Sequence, residues 1–581
     1  MQTSEQEQEQ VLEQVISPIE AFYQNEKGRR TPYCTKDKYD EHHPQSLCFT
    51  QPWPDGSITE YNWQEVGAEV RRMATYLISQ DYPAGSTVAL MSSNCAHWIM
   101  ADLAIWMAGH ISVPLYPVLN TKTVGQILAH SEAKLIFLGK LDSWEAIEAG
   151  IPEGIERITL PICPEAAKKG ATQWQDIVAA NEALTDDPIP ALDDIATIIY
   201  TSGTTGMPKG VMHSHRNLGA VASLAKLMYE IGEEDRMLSY LPLAHVAERA
   251  AVELGQLYSG FSVWFANNLT TFGDDLRRAQ PTLFFAVPRI WTKFQQQVLA
   301  QIPAKKLNLM LKTPILKGII GKKLLTAMGL NNVQGAISGA APISTSLLEW
   351  YKKLGIEILE GYAMSENMAY SHATRSGDSQ IGFVGLPSPL VDCKIDPDNG
   401  EILVKSPCNM VGYFKEPGLT SEAINSEGYL HTGDKGEIDA AGRLKITGRI
   451  KEIFKTSKGK YVAPSPIENK LLTNSSIEQI CVAGANLTQP LALLVLAESI
   501  DANDDNVKAA ITKQLDELRA SVNQSLDHHE NLKCLVIVGE QWTTENNLMT
   551  PTLKIKRTEI DRVYGDKYET WLNNKDTIIW L

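Results

Sequence analysis

The stretch YTSGTTGMPKGVMHSH, Tyr200–His215, sets Ser202, Thr204, Thr205 and Lys209 among Gly203 and Gly206, directly after the apolar run IATIIY. Residues of these types could hold phosphate. Glycine lets the backbone come close, successive N–H groups make an anion nest, hydroxyls add donors and the ammonium adds charge. The position also suits the task, because α/β proteins bind ligands at the carboxyl ends of strands. The Walker pattern fails, however, since it asks for Gly-Lys-Ser/Thr and the chain has Pro208-Lys209-Gly210. The hydroxyl that would hold magnesium in a P-loop is missing, so a metal ligand must come from elsewhere. Taken alone, the segment is equally well a plain connector between strands.

Such a loop needs elements to place it. At 581 residues the chain exceeds one ordinary core, and at least two domains are expected. A hydrophobic share of 44% with 21% charged residues describes a folded, enzyme-like chain. The net charge of −16 argues against nucleic-acid binding, which requires a broad basic face. Any anionic ligand must be gripped by locally placed cations. The eight cysteines form no CxxC or Cys/His cluster, so neither a disulfide framework nor a zinc site is expected. The start MQTSEQEQEQ lacks a basic and apolar leader, and no apolar run nears the roughly 18 residues of a membrane span. A cytoplasmic protein is expected, monomeric or homodimeric.

From Ile58 onward, strand and helix patterns alternate through STVALMSSN, HWIMADLAIWMAGHISVPLYP, AKLIFLG and IATIIYTSG. This predicts an α/β fold: two stacked α/β sheets plus a barrel-like β subdomain, then a small mobile α+β domain. The expected divisions are a disordered tail at 1–15, a large domain at 16–448 and a small one at 449–581. One segment departs from the acidic average. Ile302–Leu330 carries lysines at 305, 306, 312, 317, 322 and 323 and no acid, a pattern suited to peripheral contact with an anionic bilayer or to an ordinary helix with solvated lysines.

Further motifs follow in order: SGAAP at Ser338–Pro342, EGYAMSE at Glu360–Glu366, YLHTGD at Tyr429–Asp434, TGRIKE at Thr447–Glu452 and PTLKIKR at Pro551–Arg557. With the opening loop they resemble the adenylate-forming superfamily of acyl-CoA synthetases, peptide-synthetase adenylation domains and firefly-type luciferases. ADLAIWMAGHISVPLYP, LPLAHVAER, PTLFFAVPRIW and KGKYVAPSPIEN resemble bacterial long-chain fatty acyl-CoA synthetases in particular. The resemblance implies ATP, magnesium and CoA as reactants and cofactor. A carboxylate would attack the α-phosphate of ATP, giving acyl-AMP and pyrophosphate, and a thiol would then take the acyl group. The first step brings two anions together, so charge neutralisation and in-line positioning are the protein's task.

By that resemblance Ser202, Gly203, Thr204, Thr205, Gly206 and Lys209 hold the β- and γ-phosphates. Gly339, Ala340 and Ala341 flank adenine and Tyr362 offers it an aromatic face. Ser365 lies near the α-phosphate, and Glu366 with Thr204 serves magnesium. Asp434 and Arg449 hold the ribose. Lys554 bridges the fatty-acid carboxylate and the α-phosphate, with Lys556 as an alternative, and His245 positions the reacting carboxyl. Lys451 is the hinge, and Lys458 and Gly459 belong to the CoA side. Outside the family pattern, Asp434 reads as a turn residue and Lys554 as a surface lysine. Phe284, Phe285, Val287 and Trp291 suit an acyl tunnel or a core. Acyl carrier protein as acceptor, a different acid, or a non-catalytic binder of the same fold remain as alternatives.

Overall fold

The computed structural model describes residues 4–29, 44–201, 207–268, 270–380, 382–474, 476–498, 500–544, 546–550 and 554–581, without the side chains of residues 304 and 314–316. Its largest sheet is built on parallel strands Thr87–Met91, Ile111–Leu115, Leu135–Leu138 and Glu156–Thr159. The first three are largely apolar runs, as strands covered on both faces must be, whereas Glu156–Thr159 reads ERIT and is half-buried at its start. The strand Ile195–Thr201 joins this sheet in parallel and then turns back antiparallel as Lys209–Ser214, with Thr201 opposite Lys209. The Gly/Thr-rich segment expected to hold phosphate therefore connects two strands of a β-hairpin, and its core, residues 202–206, lies outside the described residues.

Behind the sheet the helix Ala96–Met107 is buried on every side, as its all-round apolar sequence requires. Its one acid, Asp102, pairs with Arg249, whose Nε donates to Glu253 at 2.8 Å and whose Nη1 donates to Thr197 at 2.6 Å. All three charged groups are fully buried, and the guanidinium lies 5.6 Å and 5.3 Å from the Trp98 and Trp106 ring centres. Burial, together with the nearby Asp102 carboxylate, pushes the Glu253 carboxyl well above its ordinary range, against the pull of the Arg249 charge.

A second sheet sets Leu283–Ala286, Gly335–Ser338 and Ile358–Tyr362 in parallel. The SGAAP and EGYAMSE motifs thus leave the same end of neighbouring strands. The third piece is an antiparallel sheet of Asp392–Ile395, Glu401–Lys405, Leu430–Ile438 and Leu444–Arg449, whose register sets Asp434 directly opposite Arg449. After Arg449 the chain builds a separate sheet of Ile477–Ala483, Leu491–Leu496, Leu535–Val538 and Ile578–Trp580, covered by the helix Asp505–Gln524. Among the described residues no helix is long and apolar enough to cross a membrane.

The start of the chain departs from the expected disordered tail. Glu5–Glu13 is a helix with a reciprocal Ser4/Glu7 capping box, and Val11 and Val15 enter the main core. Two buried valines supply the anchoring that the polar composition concealed.

Candidate active site

Asp434 and Arg449 face each other because their strands pair in that register. Arg449 Nε donates to Asp434 Oδ1 at 2.7 Å, and the Tyr362 hydroxyl donates to Oδ2 at 2.7 Å. Each carboxylate oxygen keeps a further lone pair for a ligand hydroxyl. Asp434 is buried, so its geometry is fixed before anything binds. Two motifs on neighbouring strands and a third some 72 residues away, Tyr362, meet at one carboxylate.

A second cluster surrounds Glu366. The Tyr413 hydroxyl donates to Glu366 Oε1 at 2.8 Å, and the Tyr413 ring lies 5.2 Å beneath the Lys209 ammonium. Tyr413 is carried there by the short strand Gly412–Tyr413, which pairs with Met212 and Val211. On the other side, the His213 imidazole is 2.8 Å from the Ser365 carbonyl. Hence Lys209, Ser365 and Glu366 are held together by the edge of the first sheet. Met368 and Ala369 follow with φ of 49° and 59°, a left-handed pair that turns the chain sharply after Glu366. Such strain collects at functional sites.

Lys554 completes the cluster from the far side of the domain boundary. Its backbone pairs with Thr550, and its exposed side chain lies within electrostatic reach of Arg449, Asp434, Glu366 and Glu452. Protein mass around it nevertheless desolvates the charge. That desolvation and the like charge of Arg449 lower its pKa, against the pull of Asp434, Glu366 and Glu452. Lys556 is turned away, with its ammonium 2.6 Å from Asn547 Oδ1. Arg557 ties this segment to the turn Ile450–Glu452 and the helix Pro464–Leu471, donating to Glu452 at 3.0 Å and to both Glu468 oxygens at 2.6 Å. Arg289 and Glu478 form an ion pair across the two domains.

His245 caps a short helix, its Nδ1 accepting from the Ala247 N–H at 3.2 Å. That bond leaves the proton on Nε2. Burial, and then the Lys554 charge, push its pKa down to about 4, so the imidazole is neutral at physiological pH. The loop before it is fastened by Glu248, which accepts from Ser239 Oγ at 3.0 Å and Tyr240 N at 2.9 Å. Burial pushes this carboxyl up to about 8.

The remaining expected residues fall as follows. Gly339 is buried beside Phe285, where an added Cβ would lie 3.3 Å from the ring, and Ala340 takes a left-handed φ of 66°. Phe284 and Trp291 are core residues packed edge to face, whereas Phe285 and Val287 are half-buried. Lys451 is exposed in the turn Ile450–Glu452. Lys458 and Gly459 sit at an exposed hairpin tip of the second domain, and among the described residues neither bonds to the Glu366 or Asp434 cluster. Ser202, Gly203, Thr204, Thr205 and Gly206 lie outside the described residues. Sequence reasoning missed Tyr413 and Glu248. Glu248 falls inside the quoted LPLAHVAER motif, while Tyr413 carries no local signal.

A family model described as AMP-binding enzyme matches residues 37–414, and the AMP-binding enzyme C-terminal domain matches residues 451–574. The chain is 30% identical over 579 residues to long chain acyl-CoA synthetase 6, peroxisomal, of Arabidopsis thaliana, covering 88% of this chain and 82% of that protein. It is 28% identical over 590 residues to long-chain-fatty-acid–CoA ligase 1 of Homo sapiens, covering 90% and 84%. Among solved structures, the A domain of carboxylic acid reductase from Segniliparus rugosus, in complex with AMP and a co-purified carboxylic acid, matches with a TM-score of 0.76 at 22% identity, covering 97% and 96%. The chain belongs to the AMP-binding enzyme family and has the adenylate-forming fold, with a large N-terminal and a smaller C-terminal domain.

Proposed function

We propose that this enzyme joins a long-chain fatty acid to ATP as acyl-AMP, releasing pyrophosphate, and then passes the acyl group to CoA, releasing AMP. The observation that carries this reading is the pair of polar clusters in which Asp434 accepts from Arg449 and Tyr362 while Tyr413 links Glu366 to Lys209. Likeness to long-chain acyl-CoA synthetases over most of the chain supports the choice of acid and acceptor.

In this reading Lys209 and the 202–206 loop neutralise the β- and γ-phosphates. Asp434 and Arg449 hold the ribose, and the Tyr362 ring, pinned through its hydroxyl, lies against adenine. Among the described residues no group of three or more metal-ligating side chains occurs. That fits magnesium, which binds through one or two carboxylates plus substrate phosphates. Glu366 would hold it, with Thr204, through the oxygen that Tyr413 leaves free. The ion would supply charge neutralisation at the phosphates.

Lys554 brings its ammonium between the two anions that must meet. The desolvation that lowers its pKa is offset once a carboxylate and a phosphate supply counter-charge, so its cationic form is favoured most when both reactants are in place. The neutral His245 donates from Nε2 to the substrate carboxylate and orients it. Rotation at Lys451 then withdraws Lys554 and brings Lys458 and Gly459 toward the thiol.

The test has two parts. Acid-dependent ATP–pyrophosphate exchange is measured over a panel of acids, then thioester formation with CoA or carrier protein. Exchange with long-chain acids followed by acyl-CoA formation is expected. Exchange with thioester only on carrier protein would replace the acceptor, and no exchange with any acid would leave a non-catalytic binder.

A further inference from the structure

Residues 276–348 contain no aspartate or glutamate and ten lysines or arginines, in a chain of net charge −16. The segment includes the helices Ala304–Lys312 and Pro314–Met328. Both are seated on the second core through Leu307, Leu311 and Met328, with Ile320, Leu324 and Leu325 packed alongside. Their opposite face is open. On the first helix Lys305, Leu309 and Lys312 share one face by their spacing, and on the second Ile319, Lys322, Lys323 and Thr326 do the same. All six lysines from 305 to 323 are exposed, and among the described residues none has a carboxylate partner. Leu309 is 69% exposed and Ile319 62%.

A single exposed leucine is ordinary. Two large aliphatic side chains on adjacent helices, each set among unpaired lysines, combine charge with hydrocarbon on one face. The neighbouring helix Thr345–Leu354 adds exposed Lys352 and Lys353 against one acid, Glu349. By contrast, Arg277 and Arg289 nearby are already paired, with Asp274 and Glu478.

We propose that this face docks peripherally on an anionic phospholipid bilayer. The ammonium groups meet the headgroup phosphates, while Leu309 and Ile319 enter the acyl boundary. Charge complementarity selects both the partner and the orientation, because the acidic remainder of the chain is repelled from an anionic surface. The exposed aliphatic pair favours a bilayer over an acidic carrier protein, which offers charge without a hydrocarbon layer. The inference rests on the proposed function for its purpose, the uptake of an apolar acid from lipid, but docking itself requires no catalysis.

The experiment sediments the full chain with vesicles of phosphatidylcholine, alone or mixed with phosphatidylglycerol, without ATP or fatty acid. Binding to the mixed vesicles only, weakened by salt, is expected. At about fivefold per lysine near such a surface, Lys322→Glu/Lys323→Glu lowers the partition by more than tenfold. Leu309→Ser/Ile319→Ser weakens it while keeping its salt dependence. Thermal unfolding of both variants stays unchanged. Absence of binding to anionic vesicles at low salt overturns the proposal, as does equal binding to both vesicles or wild-type partition of the lysine variant. A carrier-protein partner is indicated instead if the lysine variant loses carrier acylation with vesicle binding intact. Vesicle binding and nucleotide exchange are read separately, so either reading can fail alone.

Discussion

Tyr413→Phe isolates the contact that joins the two sheet edges at the site. The substitution deletes only the hydroxyl that donates to Glu366 at 2.8 Å, and the ring stays beneath Lys209 at 5.2 Å. The strand pairing through Val211 and Met212 is backbone and survives. A hydrogen bond to a charged group contributes about 1.5–3 kcal/mol, and the half-buried setting argues for the lower part of that range. At 1.4 kcal/mol per decade, about 1.5–2 kcal/mol corresponds to a 10- to 30-fold loss. The assay is ATP–pyrophosphate exchange with a saturating acid, followed against ATP and magnesium concentration. A loss of this size with unchanged thermal unfolding is expected. Tyr413→Leu also removes the ring under Lys209, at a further cost of about 0.5–1 kcal/mol for an exposed cation–π contact. Exchange within twofold of wild type in Tyr413→Phe would refute the idea that this hydroxyl fixes Glu366.

Lys451→Pro should leave acyl-AMP formation nearly intact and block thioester formation, because proline fixes the φ that a hinge must change; equal loss of both half-reactions counts against the hinge. Lys554→Ala should abolish exchange and raise the His245 pKa above about 4, though burial keeps it below an ordinary histidine; imidazole resonances followed against pH report this, and an unmoved titration would mean that the two groups do not face each other. With His245 neutral above about pH 4, exchange should show no histidine limb near pH 6.5. Arg249→Met strands Asp102 and Glu253 in a fully buried site, and breaking such a pair costs about 3–5 kcal/mol; a loss below about 1 kcal/mol in urea denaturation would show that the carboxyls neutralise themselves.

The motif residues were legible through their resemblance to a family pattern, since by type alone Asp434 reads as a turn residue and Lys554 as a surface lysine. Asp434, Arg449, Tyr362 and Glu366 could be named from sequence, and the strand registers bring the first three to one carboxylate. Tyr413 could not be named, since its role exists only once the short strand at Gly412 pairs with Lys209–Ser214. Lys554 and Lys556 are chemically equivalent in the string, and the bond from Lys556 to Asn547 is one feature of the fold that separates them. The N-terminal helix was hidden by its glutamates and glutamines, which cover the outside while two valines do the anchoring. The apolar run at Phe284–Trp291 divides residue by residue between core and half-buried positions, which periodicity alone does not resolve.

The hairpin that carries the phosphate loop has a consequence for turnover. In a P-loop protein the phosphate sits on a helix N-terminus, whose dipole is permanent. Here the connection joins two antiparallel strands, with Thr201 opposite Lys209, and among the described residues it runs from strand to strand without a helix. Its positive charge comes instead from a side chain on a flexible stem. A grip of this kind strengthens when the polyphosphate is present and relaxes when its charge departs. In the proposed reaction pyrophosphate is a product that leaves before the acyl group is passed on. A hairpin grip thus favours release over retention, and salt should speed that release more than it would from a helix-backed site.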